Sequence, residues 1–470
     1  MTTVLVTISR GFLARNILLT DVLPTLADGA RVVIATQGHA DPEFRALFGR
    51  ANVTFVPFVS APGRKRDRLF VSLHRNLIWN RTIRFTAKYG IYGPSRFQAL
   101  RYLLQLLVFR PLAGISFVRR FVRWLDLHLS PPPDALLAQL KEQRPDVVFS
   151  TNPMEDGDAA YLFAATRLGI PSVALVKSWD NMSKTHFRVL PDVCLVWGPY
   201  MREEAQRYQD CPADRIFEVG VPQFDAYVHR RDANDRTTFL HDMGLDPDRR
   251  TILFGSEGKV TPGDPDIVSA IAGFIERQEL GASAQVLVRP HFGYRGDVEK
   301  FRSVAELPHV VVDRRHTPRP CFYDQWDFSP EHFTRLVRTL GAADVMVTTA
   351  STLAIDAAAW DMPTVSIAFD PGGRVPRSKS VARWYETEYY GHVLATGAVL
   401  VVRNFAELRA ALIASLAVPE RRHAQRQELV RRFAGRLDGH AGKRVGNIVL
   451  AVARREKNIA RYAADNTTDG

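Results

Sequence analysis

The segment Asp344–Asp370 (DVMVTTASTLAIDAAAWDMPTVSIAFD) reads as a strand ending in a small polar turn, Thr348-Thr349-Ala350-Ser351-Thr352, from which a helix starts. The free N–H groups of a first helical turn, with the hydroxyls of Ser351 and Thr352, form a site for a phosphate or diphosphate. Asp356 follows four residues after Thr352, near the mouth of the same helix, where a carboxylate can accept hydrogen bonds from a ribose. A plain serine cap with a solvated aspartate is the alternative, because Ser is a common helix start. LVRPHFGY (Leu287–Tyr294) sets Arg289 and His291 at a second strand exit. One is a forked and the other a titratable donor for phosphate oxygens. LFGSEGKV (Leu253–Val260) brings Ser256, Glu257, Gly258 and Lys259 to a third exit, with Gly258 permitting close backbone approach. Three polar exits in one half of the chain point at one crevice for an anionic donor.

The front half offers the acceptor side. Its first strand exits at Ser9-Arg10-Gly11-Phe12, and Arg15 and Asn16 open the following helix. Gly11 lets an acceptor or the donor diphosphate reach the backbone, or serves an ordinary βα turn. That turn holds no His, Asp or Glu, so the group that takes the acceptor's proton must come from another loop. TNPMEDGDAAY (Thr151–Tyr161) supplies Glu155, Asp156 and Asp158, and VKSWDNMSKTHF (Val176–Phe187) supplies Lys177, Asp180 and His186. Glu155, Asp156 and Asp180 are the candidate catalytic carboxylates; helix capping is the competing role for Asp156 and Asp158. Asp-x-Asp occurs at Asp246–Asp248 and Asp264–Asp266, in proline turns where capping accounts for it, so no metal is expected. FDPGGRVPRSKS (Phe369–Ser380) carries Gly372, Gly373, Arg374, Arg377 and Lys379 in a loop suited to close over phosphates, which adds Arg377 to the donor set.

The elements that must hold these residues alternate between apolar β-rich runs and helical patterns. Strands are expected at Val4–Ser9, Arg31–Thr36, Val53–Pro57, Asp146–Thr151, Ser172–Val176, Val193–Trp197 and Ile216–Val219. A second series follows at Thr251–Gly255, Gln285–Arg289, Val310–Asp313, Asp344–Thr348, Thr364–Phe369 and Leu400–Val402. Apolar strands alternating with helices call for parallel sheets covered on both faces. The polar stretch His229–Arg250 is the best boundary, giving an acceptor domain over 1–228, a linker over 229–250, a donor domain over 251–418, and helices with a polar tail over 419–470. Ligands of such domains bind at the carboxyl ends of the strands.

The chain has 470 residues, 46% hydrophobic and 24% charged, with a net charge of +12. That balance excludes disordered and fibrous classes, and three scattered cysteines exclude a disulfide framework. The start, MTTVLVTISRGF, does not read as a secretory leader, and no long uncharged apolar stretch spans a bilayer. Fourteen Lys/Arg against two acids fall between Arg64 and His128, so this insert, over about 60–135, carries the whole charge imbalance. In Ile115–Leu129 the residues Arg119, Arg120, Arg123 and Asp126 share one helical face, opposite Phe117, Val118, Phe121, Val122, Trp124, Leu125 and Leu129. The preceding FQALRYLLQLLVF shows only a narrow polar stripe of Gln98, Arg101 and Gln105. Such helices either dock on an anionic membrane or pack on a neighbouring domain with their arginines in water. Nucleic acid is not expected, because the aromatics form no stacking platform.

Two Rossmann-like halves, a GVPQFD junction (Gly220–Asp225), the Arg-x-His strand exit and the polar turn before a Ser-Thr helix start resemble GT-B glycosyltransferases. Among these the chain is most similar to bacterial capsule and surface-polysaccharide transferases and to the CDP-glycerol glycerophosphotransferases of teichoic acid synthesis. The resemblance implies two doubly wound domains facing a cleft and a nucleotide-activated donor in the rear one, with His291 and Ser351-Thr352 on its phosphates and Asp356 near its ribose. His291 is followed by Phe292 where the glycerophosphotransferase pattern prefers proline, and the doubled-serine turn reads Ala350-Ser351-Thr352. Those departures favour a nucleotide sugar over a CDP-polyol. The expectation is therefore a metal-independent, cofactor-free glycosyltransferase, cytoplasmic and peripheral on the inner face of the membrane, acting on a lipid-linked or growing surface glycan. Its rivals are CDP-polyol phosphate transfer, a hydrolysing sugar-nucleotide epimerase, and a non-catalytic membrane-associated assembly protein on the same scaffold.

Overall fold

The computed structural model describes residues 1–60, 63–90, 95–229, 235–294, 296–373 and 375–464. Arg374 and parts of the predicted insert, linker and polar tail thus lie outside the described residues. Among the described residues thirteen strands form two all-parallel sheets. The front sheet holds β1 (Thr3–Ile8), β2 (Arg31–Thr36), β3 (Val53–Pro57), β4 (Val147–Ser150), β5 (Ser172–Leu175), β6 (Val193–Val196) and β7 (Ile216–Glu218), in the order β3-β2-β1-β4-β5-β6-β7. The rear sheet holds β8 (Arg250–Gly255), β9 (Ala284–Arg289), β10 (Val310–Val312), β11 (Val345–Thr348), β12 (Thr364–Ile367) and β13 (Val399–Val402), in the order β10-β9-β8-β11-β12-β13. Every expected strand forms. The central strands are buried along their whole length, as β-branched runs covered by helices on both faces require. In each sheet the strand order reverses between the first and fourth strands, which opens a crevice at their carboxyl ends.

The boundaries differ from the expected ones. Within the predicted linker, helix Arg236–Asp242 buries Phe239 and Leu240 and packs on helix Pro330–Ala342, so this stretch belongs to the rear lobe. The last helices are shared between the lobes. His423–Phe433 packs on Leu353–Ala359 of the rear lobe and Pro199–Gln209 of the front lobe. Ala441–Ala453 returns to the front lobe against Val22–Gly29, where Gly442 and Gly446 leave room for Asp21 and Thr25. Asp225, the end of the GVPQFD junction, accepts hydrogen bonds from the amides of Ala441 (3.0 Å) and Gly442 (2.7 Å) and so holds the start of that helix.

The insert folds as helices Lys65–Asn76, Arg81–Tyr89, Gln98–Leu104 continuing to Ala113, and Ser116–Leu129. Its last helix is turned the opposite way from one packed on a neighbouring domain with its arginines in water. Arg119, Arg123 and Asp126 are its buried residues, while Phe117, Phe121 and Trp124 face out. The reason is a set of polar partners distant in sequence. Arg119 Nε donates to Asp210 (2.9 Å), and Arg123 donates to the carbonyls of Phe187 (3.1 Å) and Gln209 (3.0 Å). Asp126 accepts from Arg188 at 2.8 and 2.9 Å and contacts His74 Nε2 at 3.0 Å. Burial pushes the Asp126 carboxyl up, but the bonds from Arg188 and His74 override it and hold it below its ordinary value. Burial lowers the imidazole pKa of His74 and takes that of His186 down to about 3. Of the polar stripe before it, Gln98 reaches the carbonyl of Ala87 and Gln105 the side chain of Asn76, while Arg101 stays exposed.

Candidate active site

A cavity of about 390 Å³ lies where the carboxyl ends of the two sheets meet. Five of the sequence-predicted strand exits contribute to it, whereas Thr151–Tyr161 does not. The loop after β1 supplies Phe12, Arg15 and Asn16; the loop after β5 supplies Lys177 and Ser178; β8 leads to Ser256 and Glu257; β9 to Arg289 and His291; and β11 to Ser351, Thr352 and Asp356. Residues from opposite halves of the chain therefore share one wall.

The wall is rich in poorly neutralised positive charge. Arg15 stacks on Trp326, with its guanidinium carbon 5.0 Å from the ring centre, and donates to Asn16 Oδ1 at 2.9 Å. Among the described residues no carboxylate reaches it at ion-pair distance, and burial lowers its pKa to about 10. Arg289 is buried, 3.5 Å from Asp313, and its pKa too is lowered by burial. Two cations held in a low-dielectric wall without full counter-charge are a receptor for a multivalent anion. Among the described residues His291 Nδ1 is buried with no partner, so the imidazole meets the cavity through its other edge. Burial lowers its pKa, leaving it neutral at neutral pH.

Glu257 is the acid suited to proton transfer. Burial pushes its carboxyl up to about 7 against the opposing hydrogen bond from Ser351, and a base with that pKa is half-ionised at neutral pH. The three acids expected to be catalytic are differently placed, and none lines the cavity. Glu155 pairs with Arg10 and Lys177, both at 3.0 Å. Asp180 pairs with Lys184 and accepts from Ser178 at 2.6 Å. For both, burial acts upward, but the neighbouring cations win and hold the carboxyl below its ordinary value. Asp156 faces solvent beside Arg188 at 3.3 Å. Ion-paired carboxylates of that kind are weak bases.

Other expected site residues are committed elsewhere. The amides of Gly11 and Phe12 are taken by the Asp324 carboxylate at 2.9 and 3.2 Å, and a side chain at Gly11 would meet the Trp326 carbonyl, so no ligand reaches that backbone. Gly258, at φ +68°, makes room for the Tyr294 ring rather than for a donor, and Lys259 lies 5.5 Å over that same ring. The Ser256 hydroxyl is occupied by Asp264 (2.8 Å) and Lys300 (2.8 Å), which also ties Asp264 of the second Asp-x-Asp into structure. Ser351 Oγ accepts from the Leu353 amide at 3.1 Å, so it caps its own turn instead of leaving that amide open. Asp356 accepts from the Tyr227 hydroxyl at 2.6 Å. Arg377 sits on the surface, paired with Glu386 at 2.6 Å, and is not part of the cavity. Among the described residues no three His, Cys, Asp or Glu side chains gather as a metal site.

Tyr227, Trp326 and Asp324 were missed in the sequence. Tyr227 stands two residues beyond the GVPQFD junction, and the other two lie in the long irregular run between β10 and helix Pro330–Ala342. An aromatic, acid-containing connection of that length was the available signal.

The model of the family described as CDP-glycerol:poly(glycerophosphate) glycerophosphotransferase matches residues 178–451. No curated protein matches the chain significantly. Among solved structures, a UDP-N-acetylglucosamine 2-epimerase from Listeria monocytogenes is similar, with 11% identity, 96% of each chain covered and a TM-score of 0.56. The S. aureus MnaA–UDP co-structure gives 12% identity, 97% of each chain and 0.53. The wall teichoic acid polymerase TagF gives 11% identity over 97% of this chain and 90% of that one, with 0.52. At such identities these likenesses speak for the fold, two Rossmann-like lobes of GT-B type.

Proposed function

The chain belongs to the CDP-glycerol:poly(glycerophosphate) glycerophosphotransferase family, and from that premise we propose that it moves a polyol phosphate from a nucleoside diphosphate donor to a hydroxyl of a growing cell-envelope polymer. The observation that carries the proposal is the pairing of Arg15 and Arg289, from opposite lobes, in one cavity wall without full counter-charge. A diphosphate supplies that charge. In the step, the acceptor oxygen bonds to the distal phosphorus of the donor, the bond from that phosphorus to the nucleoside monophosphate breaks, and the acceptor's proton passes to Glu257. Arg15, Arg289 and His291 stabilise the charge that develops on the phosphoryl oxygens and the departing nucleotide.

Sugar transfer is the second reading, and the sequence features that favour it are Phe292 in place of proline and the Ala350-Ser351-Thr352 turn in place of a doubled serine. Phe292 is buried, stacked on His316 at 4.9 Å between ring centres and under Arg289 at 5.0 Å. It packs the wall behind the cations, so its identity bears on their support more than on the choice of donor. A donor panel separates the two. Incubation with CDP-glycerol, CDP-ribitol and UDP-, GDP- and CMP-linked sugars, with a polymer primer, is followed by nucleotide release. CMP released from a CDP-polyol supports polyol-phosphate transfer. A nucleoside diphosphate released from a nucleotide sugar replaces it with sugar transfer, and release from no donor removes the enzymatic reading.

A further inference from the structure

We propose that the helical insert buries its outward apolar face in the headgroup and upper acyl region of an anionic lipid bilayer, as an interfacial wedge that does not span it. This inference does not depend on which donor the cavity takes.

Twelve of the nineteen large hydrophobic side chains exposed among the described residues fall between Phe97 and Leu129. They include Leu107 at 66%, Phe117 at 74% and Trp124 at 53% exposure. The helix from Gln98 through Phe109 has no buried residue at all, its leucines at 100, 103, 104 and 107 standing in solvent. A contiguous apolar face of this kind marks an interaction surface, while the helix is held to the rest of the insert through Gln98 and Gln105 rather than through these leucines. The exposure is built in. The polar side of Ser116–Leu129 is fixed inward by Asp210, Arg188 and His74, so the helix cannot roll to hide Phe117, Phe121 and Trp124 without leaving Arg119, Arg123 and Asp126 unpaired.

Charge names the partner. Twelve basic residues of the insert are exposed, from Arg64 to Arg120, while its two acids, Asp67 and Asp126, are turned toward Arg188. Basic residues beside a band of Leu, Phe and Trp match a surface of anionic headgroups over hydrocarbon. The two apolar helices, Gln98–Ala113 and Ser116–Leu129, meet at a bend of 101°, and no single helix among the described residues is long and apolar enough to cross a membrane. That geometry fits insertion from one side.

The test uses the full-length protein with vesicles of phosphatidylcholine alone or mixed with phosphatidylglycerol. Sedimentation is expected to show binding at least about tenfold stronger to the anionic vesicles, part of it surviving high salt. Lipids brominated in the acyl chains are expected to quench tryptophan emission, and Trp124→Phe to lose that quenching while binding within about twofold of the parent. The double variant Phe117→Glu/Phe121→Glu is expected to lose about tenfold or more in binding with an unchanged melting curve, because both side chains are exposed. Binding abolished by salt without quenching overturns insertion. So does an absence of vesicle binding, whether the protein stays monomeric or forms a concentration-dependent dimer that the double variant dissolves.

Discussion

Replacing Glu257 by Gln drives activity and stability in opposite directions. Burial raises the Glu257 carboxyl from 4.5 to about 7, a displacement that corresponds to about 3 kcal/mol. Between about pH 4.5 and 7 the folded carboxyl keeps its proton while the unfolded one has released it, so stability declines as pH rises through that window and levels off above it. A Gln side chain cannot ionise. At about pH 8 the variant is therefore expected to be more stable than the parent, by at most about 3 kcal/mol and by less in proportion to the water in the cavity. At about pH 5 the two converge. The rate moves the other way: loss of the base costs about 10²–10⁴ in kcat, or about 3–5 kcal/mol of transition-state stabilisation. The rising limb of kcat/KM near pH 7 disappears with it. Urea unfolding at the two pH values and a pH series of nucleotide release read both quantities. A variant that retains activity within about threefold, or keeps the rising limb, refutes Glu257 as the proton acceptor.

The cation wall gives a second expectation. Arg15→Gln and Arg289→Gln each weaken CDP or UDP binding by about 10- to 100-fold in calorimetry, the value of a charge-assisted bond to phosphate. Arg377→Gln, which removes only a surface pair with Glu386, leaves binding unchanged. Third, Asp126→Ala leaves Arg188 without its main buried partner and is expected to cost about 3–5 kcal/mol in chemical denaturation. Asp126→Asn, which keeps a hydrogen-bond acceptor, costs less.

Both sheets were legible because each strand is a buried β-branched run, and burial on two faces leaves a strong local signature. The gathering of Arg15, Arg289, His291, Ser351 and Asp356 was legible for a related reason: parallel strands place all their exits at one edge. Two things were not. The amphipathic pattern of Ser116–Leu129 defines two faces but not which one is inside. Here partners up to ninety-one residues away, such as Asp210 for Arg119, decide the matter. The choice of proton acceptor was hidden for an electrostatic reason. Glu155 and Glu257 are the same residue type at similar strand exits, yet two cations depress one while burial, helped by neighbouring carboxylates, elevates the other. Gly11 and Gly258 were read as openings for a ligand, whereas Trp326 and Tyr294 fill the space beside them.

The return of helix Ala441–Ala453 to the front lobe has a consequence for biosynthesis. Val445, Ile448 and Val449 complete the same core as Val4, Leu26 and Ile34, although some four hundred positions separate them along the chain. While the ribosome is still translating the rear half, the front sheet carries an uncovered oily flank that nothing yet made can seal. Until the closing helix emerges, that flank is the kind of transiently exposed surface that invites misassembly, so completion of the front lobe waits on the last stretch of the chain to be made.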